Sequence, residues 1–231
     1  MVGLGDMKFM EFLIEGINDI GIFKAIFMAG TPGAGKSYTV SKIQNGGIGA
    51  RIVNTDKFFE YLHDVDKSKL LTKEQLALYI NSMLPLFVDS TSANPNALIR
   101  RQGLLESLGY DTGIIIVTTS LETALKRVSQ RDRKVPEDLI KQKYKETADL
   151  LDFYKNKFNF VEEINNDEGQ LTDKVILDAF RKTTGFFTAP LSNPLGTKVV
   201  NQMQEEGWKY LADGVYKIEY LKKIVDIWYK K

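Results

Sequence analysis

Eight consecutive residues constrain this chain more than anything else in its sequence: Gly30, Thr31, Pro32, Gly33, Ala34, Gly35, Lys36 and Ser37. They fit G-x-x-x-x-G-K-[ST] in full, directly after an apolar run from Lys24 to Ala29 and directly before a helical pattern. Glycines at this spacing let successive backbone N–H groups turn inward around phosphate oxygens, and the helix that follows adds the positive end of its dipole. The chain must therefore present a strand, a tight loop and a helix in that order. Lys36 is expected to neutralise the outer phosphates of a nucleoside triphosphate, and the Ser37 hydroxyl to join the shell of a magnesium ion, with Tyr38 completing the cradle. Guanine specificity is disfavoured, because no N-K-x-D segment appears.

Short apolar runs alternate with longer helical patterns along the next 140 or so residues, the sequence form of a parallel sheet covered by helices on both faces. Candidate strands are Lys24 to Ala29, Arg51 to Thr55, Pro85 to Asp89, Gly113 to Thr118 and Phe158 to Ile164. Helices are expected to begin near Gly35, Asp56, Thr72, Pro95, Leu121 and Pro136, with a last core helix from Leu171 to Lys182. The fold class is thus α/β, a three-layer αβα sandwich around a five-stranded parallel sheet. Phe9, Phe12, Leu13, Ile17 and Ile20 mark one face of an N-terminal amphipathic helix over residues 6–22. Two prolines and two glycines in Thr184 to Thr197 set a boundary, dividing a domain of residues 1–183 from a small, mainly helical extension over 184–231. That extension is expected to hold a helix from about Asn193 to Glu206, a hairpin around Ala212 to Gly214 and a terminal amphipathic helix.

Composition narrows the chemistry. Lys plus Arg number 31 against 30 Asp plus Glu, so no overall field draws the molecule to nucleic acid or to an anionic membrane, although a local basic groove is compatible with that balance. Cysteine is absent, which excludes thiolate metal sites and cysteine nucleophiles and is compatible with the expected cytoplasmic setting. No stretch approaches the ~20 apolar residues that span a bilayer.

Several polar residues stand where chemistry would need them. Asp56 follows the second strand, at a carboxyl end where open α/β sheets bind ligands, and is a candidate general base as well as a candidate helix cap. Asp89 closes the third strand after LPLFV, apt for holding magnesium through water, and Ser90, Thr91 and Asn94 follow it. Arg127, Arg131 and Arg133 lie on and after the helix that follows the fourth strand, where guanidinium groups can close over a triphosphate. His63 reads as a surface histidine, and Arg100 with Arg101 as a charged helix face or a contact to an acceptor phosphate.

Together GTPGAGKS, NTDKFF, DSTSANPNALIRR, the stretch from Gly109 to Pro136 and FNFVEEINND resemble the zeta-toxin-like and polynucleotide-kinase-like branch of the P-loop kinases of bacteria and bacteriophages, over about Lys24 to Asp167. The resemblance implies ATP-dependent transfer of a phosphoryl group to a hydroxyl, with Asp56 as base and Arg127, Arg131 and Arg133 on the triphosphate. The acceptors of that branch include polynucleotide 5′ hydroxyls and nucleotide sugars. A nucleic acid hydroxyl or a nucleotide is the expected acceptor, a sugar nucleotide the nearest rival. An ATPase switch or a non-catalytic nucleotide-binding module is the alternative of another class.

Overall fold

The computed structural model describes residues 21–44, 48–89, 94–130 and 135–206. Most of the expected N-terminal helix, Ser90, Thr91, Arg131, Arg133, the expected hairpin and the expected terminal helix lie outside these residues. In chain order the elements are β1 (Lys24–Ala29), α1 (Lys36–Gln44), β2 (Arg51–Val53), α2 (Thr55–Leu62), α3 (Val65–Asn81), β3 (Leu86–Asp89) and α4 (Pro95–Ser107). They continue with β4 (Asp111–Thr118), α5 (Leu121–Ser129), α6 (Glu137–Asp149), α7 (Leu151–Lys155), β5 (Phe160–Asn165), α8 (Asp173–Thr188) and α9 (Pro194–Glu206).

All five strands pair in parallel in the order β2-β3-β1-β4-β5. Alternation along the central strands splits the core between the two faces of the sheet. Ala25, Phe27, Ala29, Ile114 and Ile116 face Leu76, Ile80, Leu105 and Met203, whereas Ile26, Met28, Ile115 and Val117 face Val40, Ile43, Ala179 and Phe187. β1 lies at the centre, and the direction of strand addition reverses around it. Ligands bind at such a switch point, beyond the carboxyl ends of the strands. Among the described residues no helix is long and apolar enough to cross a membrane.

Three helices differ from the expected boundaries, each for a local reason. The helix expected near Thr72 already begins at Val65, because the Asp64 carboxylate accepts from the N–H groups of Asp66 and Lys67 at 3.0 Å each. The last two residues of the expected N-terminal helix, Gly21 and Ile22, instead form a turn into β1. α8 runs past Lys182 to Thr188 despite Gly185, since the turn beyond it stacks Phe186 on Phe160 at 4.9 Å and buries Phe187. Aromatic burial there outweighs the ~1 kcal/mol a mid-helix glycine costs. α9 follows, with Val199 and Met203 in the main core.

At the opposite end of the sheet from the phosphate loop, a buried ion pair ties the α8–α9 connection to the strands. Lys24 Nζ lies 2.7 Å from Asp111 Oδ2, with side-chain exposures of 3% and 10%. Ser192 N–H, Ser192 Oγ and Asn193 N–H donate to the same carboxylate, and Lys24 also donates to the Pro190 carbonyl. Burial pushes the Asp111 carboxyl up, but the hydrogen bonds from Lys24 and Ser192 together hold it below its ordinary value of 3.8. A lowered carboxyl stabilises the fold above its ordinary pKa, and that contribution is lost as pH falls through the lower folded value. Asp111→Asn is expected to cost on the order of 2 kcal/mol at neutral pH, with a flatter loss of stability than the parent below about pH 4. Urea melts across pH check both.

Candidate nucleotide and phosphoryl-transfer site

Strand register brings the ends of three segments together. Met28 pairs with Asp89 and Val53 with Val88, so the residues that follow β1 and β2, Gly30 and Asn54, emerge beside Asp89. On the other side Thr118 pairs with Asn165, and Asn166 N–H donates to the Thr118 carbonyl at 2.8 Å.

The loop from Gly30 to Ser37 needs its glycines for space as well as for backbone angle. Gly30 has φ +145°, and a Cβ there would collide with the Val117 carbonyl oxygen. Gly35 has φ +88°, and a Cβ there would overlap the side-chain amide of Asn166. That amide donates to the Ala34 carbonyl at 2.6 Å, pinning the loop to the end of β5. Lys36 Nζ donates to the carbonyls of Gly30 at 2.9 Å and Thr31 at 3.2 Å, so the ammonium sits over the loop it closes. At the start of α1, the Ser37 hydroxyl donates to Asp89 Oδ2 at 2.7 Å.

A chain of hydrogen bonds then leads to Asp56. Asn54 Nδ2 donates to the same Asp89 oxygen at 2.9 Å, and Asn54 Oδ1 accepts from the Asp56 N–H at 2.7 Å. Asn54 is the N-cap of α2, and the exposed Asp56 stands in that helix's first turn. Asp56 therefore opens α2 at the end of the sheet that carries the phosphate loop.

Beside the loop lies a cavity of about 520 Å³ lined by Gly33, Gly35, Tyr38, Arg127, Asp167 and Leu171 among others. Among the described residues, Arg127 Nη1 is buried there without a hydrogen-bond partner, a guanidinium donor suited to an anionic oxygen. Asp167 Oδ1 accepts from Thr119 Oγ1 at 3.2 Å, Ser120 Oγ at 2.9 Å and Thr123 Oγ1, which fastens the loop after β5 to the start of α5. The bonds from Thr123 and Ser120 bring the Asp167 carboxyl down to about 2, against an opposing push from burial.

Among the described residues, the structure gathers Gly30 to Tyr38, Asp56, Asp89 and Arg127 at one end of the sheet. Asn94 caps α4, accepting from the Ala97 N–H at 3.0 Å. His63 terminates α2 in a left-handed conformation with its ring against Phe59. Sequence reasoning singled out neither Asn54 nor Asn166 nor Asp167. Their signal was present in VNTD and INND, polar residues directly after strand-forming runs, at the end of the sheet where ligands bind.

No curated protein matches the sequence. The fold is similar to that of a candidate kinase from Chloroflexus aurantiacus J-10-fl, with a TM-score of 0.52 and 12% identity over 71% of this chain and 98% of that one. It is also similar to a chain of the Pnkp1/Rnl/Hen1 RNA repair complex, with a TM-score of 0.50 and 17% identity over 59% of this chain and 46% of that one. A sequence profile described as Zeta toxin matches residues 23–173, more than half of the 231, and spans β1, the phosphate loop and every site residue named above. The chain belongs to the Zeta toxin family and is a P-loop kinase, with the phosphate loop and five-stranded parallel sheet of that class.

Proposed function

We propose that the chain transfers the γ-phosphate of ATP to a hydroxyl of a nucleic acid, at a 5′ end or on a modified base, or of a nucleotide. The reading rests above all on the hydrogen-bonded chain from Ser37 through Asp89 and Asn54 to the Asp56 amide. It supports a carboxylate at the acceptor side of the triphosphate. In this mechanism the loop amides and Lys36 hold the β and γ phosphates, and the cavity beside Tyr38 takes the nucleoside. Asp56 accepts the proton of the acceptor hydroxyl as its oxygen bonds to γ-phosphorus, while the bond to the bridging oxygen breaks and ADP leaves. Arg127 offers its donor to the charge that gathers on the transferring oxygens, joined in this reading by Arg131 and Arg133.

Ser37 Oγ and Asp89 Oδ2, hard oxygens 2.7 Å apart beside the loop, suit magnesium, which takes few protein ligands when phosphates supply the rest. Bound there, the ion would neutralise charge on the β and γ phosphate oxygens. Ser37 and Asp89 would hold it.

A radiolabelled γ-phosphate screen over 5′-hydroxyl oligonucleotides, nucleosides, nucleotides and sugar nucleotides tests the proposal. Label on an oligonucleotide or nucleotide is the expected result, and label on sugar nucleotides alone would replace the acceptor. Phosphate release to water that no acceptor accelerates would overturn the kinase reading in favour of an ATPase switch. Asp167→Ala is expected to weaken ATP binding severalfold in titration calorimetry, because the cavity wall would lose its tie to α5. The Asp167 carboxyl is held low, so in the parent this tie is complete above its ordinary pKa and is lost as pH falls toward about 2.

A further inference from the structure

Asn54 has extended backbone angles, φ −144° and ψ 117°, and caps α2 through its side-chain oxygen. The cap requires only an acceptor, which Ser, Thr or Asp would supply equally well. Asp89 Oδ2, however, needs a donor on the Asn54 side, and among these capping residues only an amide presents an acceptor and an N–H donor on one rigid group. Asn54 uses both ends, at 2.7 Å to the Asp56 N–H and 2.9 Å to Asp89. The Asp89 oxygen it engages also takes the Ser37 hydroxyl, so three chain segments meet at one carboxylate.

We propose that Asn54 is a positioning residue of the phosphoryl-transfer centre, one that fixes the rotation of the Asp89 carboxylate for the cation and couples it to the helix start bearing Asp56. The inference rests on the reading above in which Ser37 and Asp89 hold magnesium. A carboxylate with one oxygen held by two donors from different segments cannot turn without breaking both bonds. Asp89 Oδ2 is thereby held beside the Ser37 hydroxyl, the pair to which the reading above assigns the cation. Among the described residues, removing the amide leaves the Ser37 hydroxyl as the remaining side-chain donor to Asp89, and loss of such an outer partner typically weakens metal affinity or activity by about 10- to 100-fold.

Asn54→Ser and Asn54→Thr keep a capping oxygen but replace the two-ended amide with one hydroxyl oxygen. While capping, that oxygen does not reach Asp89 as the separate amide nitrogen does, so the variants separate positioning from helix capping. ATP affinity of the full chain, measured by calorimetry in magnesium and in EDTA, gives the gain that the cation supplies. In both variants this gain is expected to shrink by about tenfold or more while affinity in EDTA and the melting temperature stay close to the parent. An unchanged gain in either folded variant would overturn the inference. So would an equal loss in magnesium and EDTA, or failure of both variants to fold, since each marks a merely structural residue. A parent chain whose ATP affinity ignores magnesium would overturn the inference along with the metal site beneath it. This binding measurement does not read transfer, so failure of the kinase reading shows separately, as a parent chain that binds magnesium-ATP and labels no acceptor.

Discussion

Lys36→Ala is expected to lower kcat/KM for phosphate transfer by about a thousandfold, to the edge of detection. Lys36 is the one ammonium of the phosphate loop, and it already lies over the turn, 2.9 Å from the Gly30 carbonyl and 3.2 Å from that of Thr31. A triphosphate entering the loop brings negative charge into a ring of amide dipoles that carry no full charge of their own. Alanine removes the only full positive charge of the loop and leaves the amides intact. ATP binding should therefore weaken while the fold survives, and circular dichroism melts should separate lost activity from lost structure. Lys36→Arg is not expected to restore transfer, because the planar guanidinium cannot occupy the position of a compact ammonium. Transfer by Lys36→Ala at the parent rate would mean that this loop is not where the phosphate is held.

Asp56→Asn is expected to leave ATP affinity within about twofold and to lower the single-turnover transfer rate by about 10²- to 10⁴-fold, the range ascribed to general bases. The substitution is nearly isosteric, and the bond that seats the residue is made by its backbone N–H to Asn54 Oδ1, which the change does not touch. Its first-turn acidic charge also favours α2, so a small loss of stability from the helix dipole is expected, about 0.5 kcal/mol. The large effect should fall on the chemical step and the small one on the melt. Measuring both in the same variant separates proton acceptance from helix placement. Retained transfer in Asp56→Asn would remove the base assignment and leave Asp56 as a residue of the helix start.

The phosphate loop was legible because its function depends on local chain geometry. Positive φ at Gly30, Gly33 and Gly35, followed at once by a helix, is a requirement that neighbouring residues satisfy among themselves. The strands were legible because β1, β3 and β4 are buried on both faces, and unbroken apolar runs announce that environment. Boundaries set by side-chain bonds or by distant packing were harder to read. Asp64 starts α3 well before Thr72, and Phe187 holds α8 together beyond a glycine that read as an ending.

The sequence by itself determined that a strand, an anion-binding loop and a helix follow one another here, and that a parallel sheet carries them, because hydrophobic period and glycine geometry act over a few residues. Only the tertiary structure decided which polar residues meet. Asn54 and Asp89 are neighbours through the register of β2 with β3, and Asn166 reaches Ala34 because β5 ends level with β4. Hydrogen bonds between residues 35 and 132 positions apart depend on strand order, and strand order follows from how the two faces of the sheet are covered, a property of the whole chain.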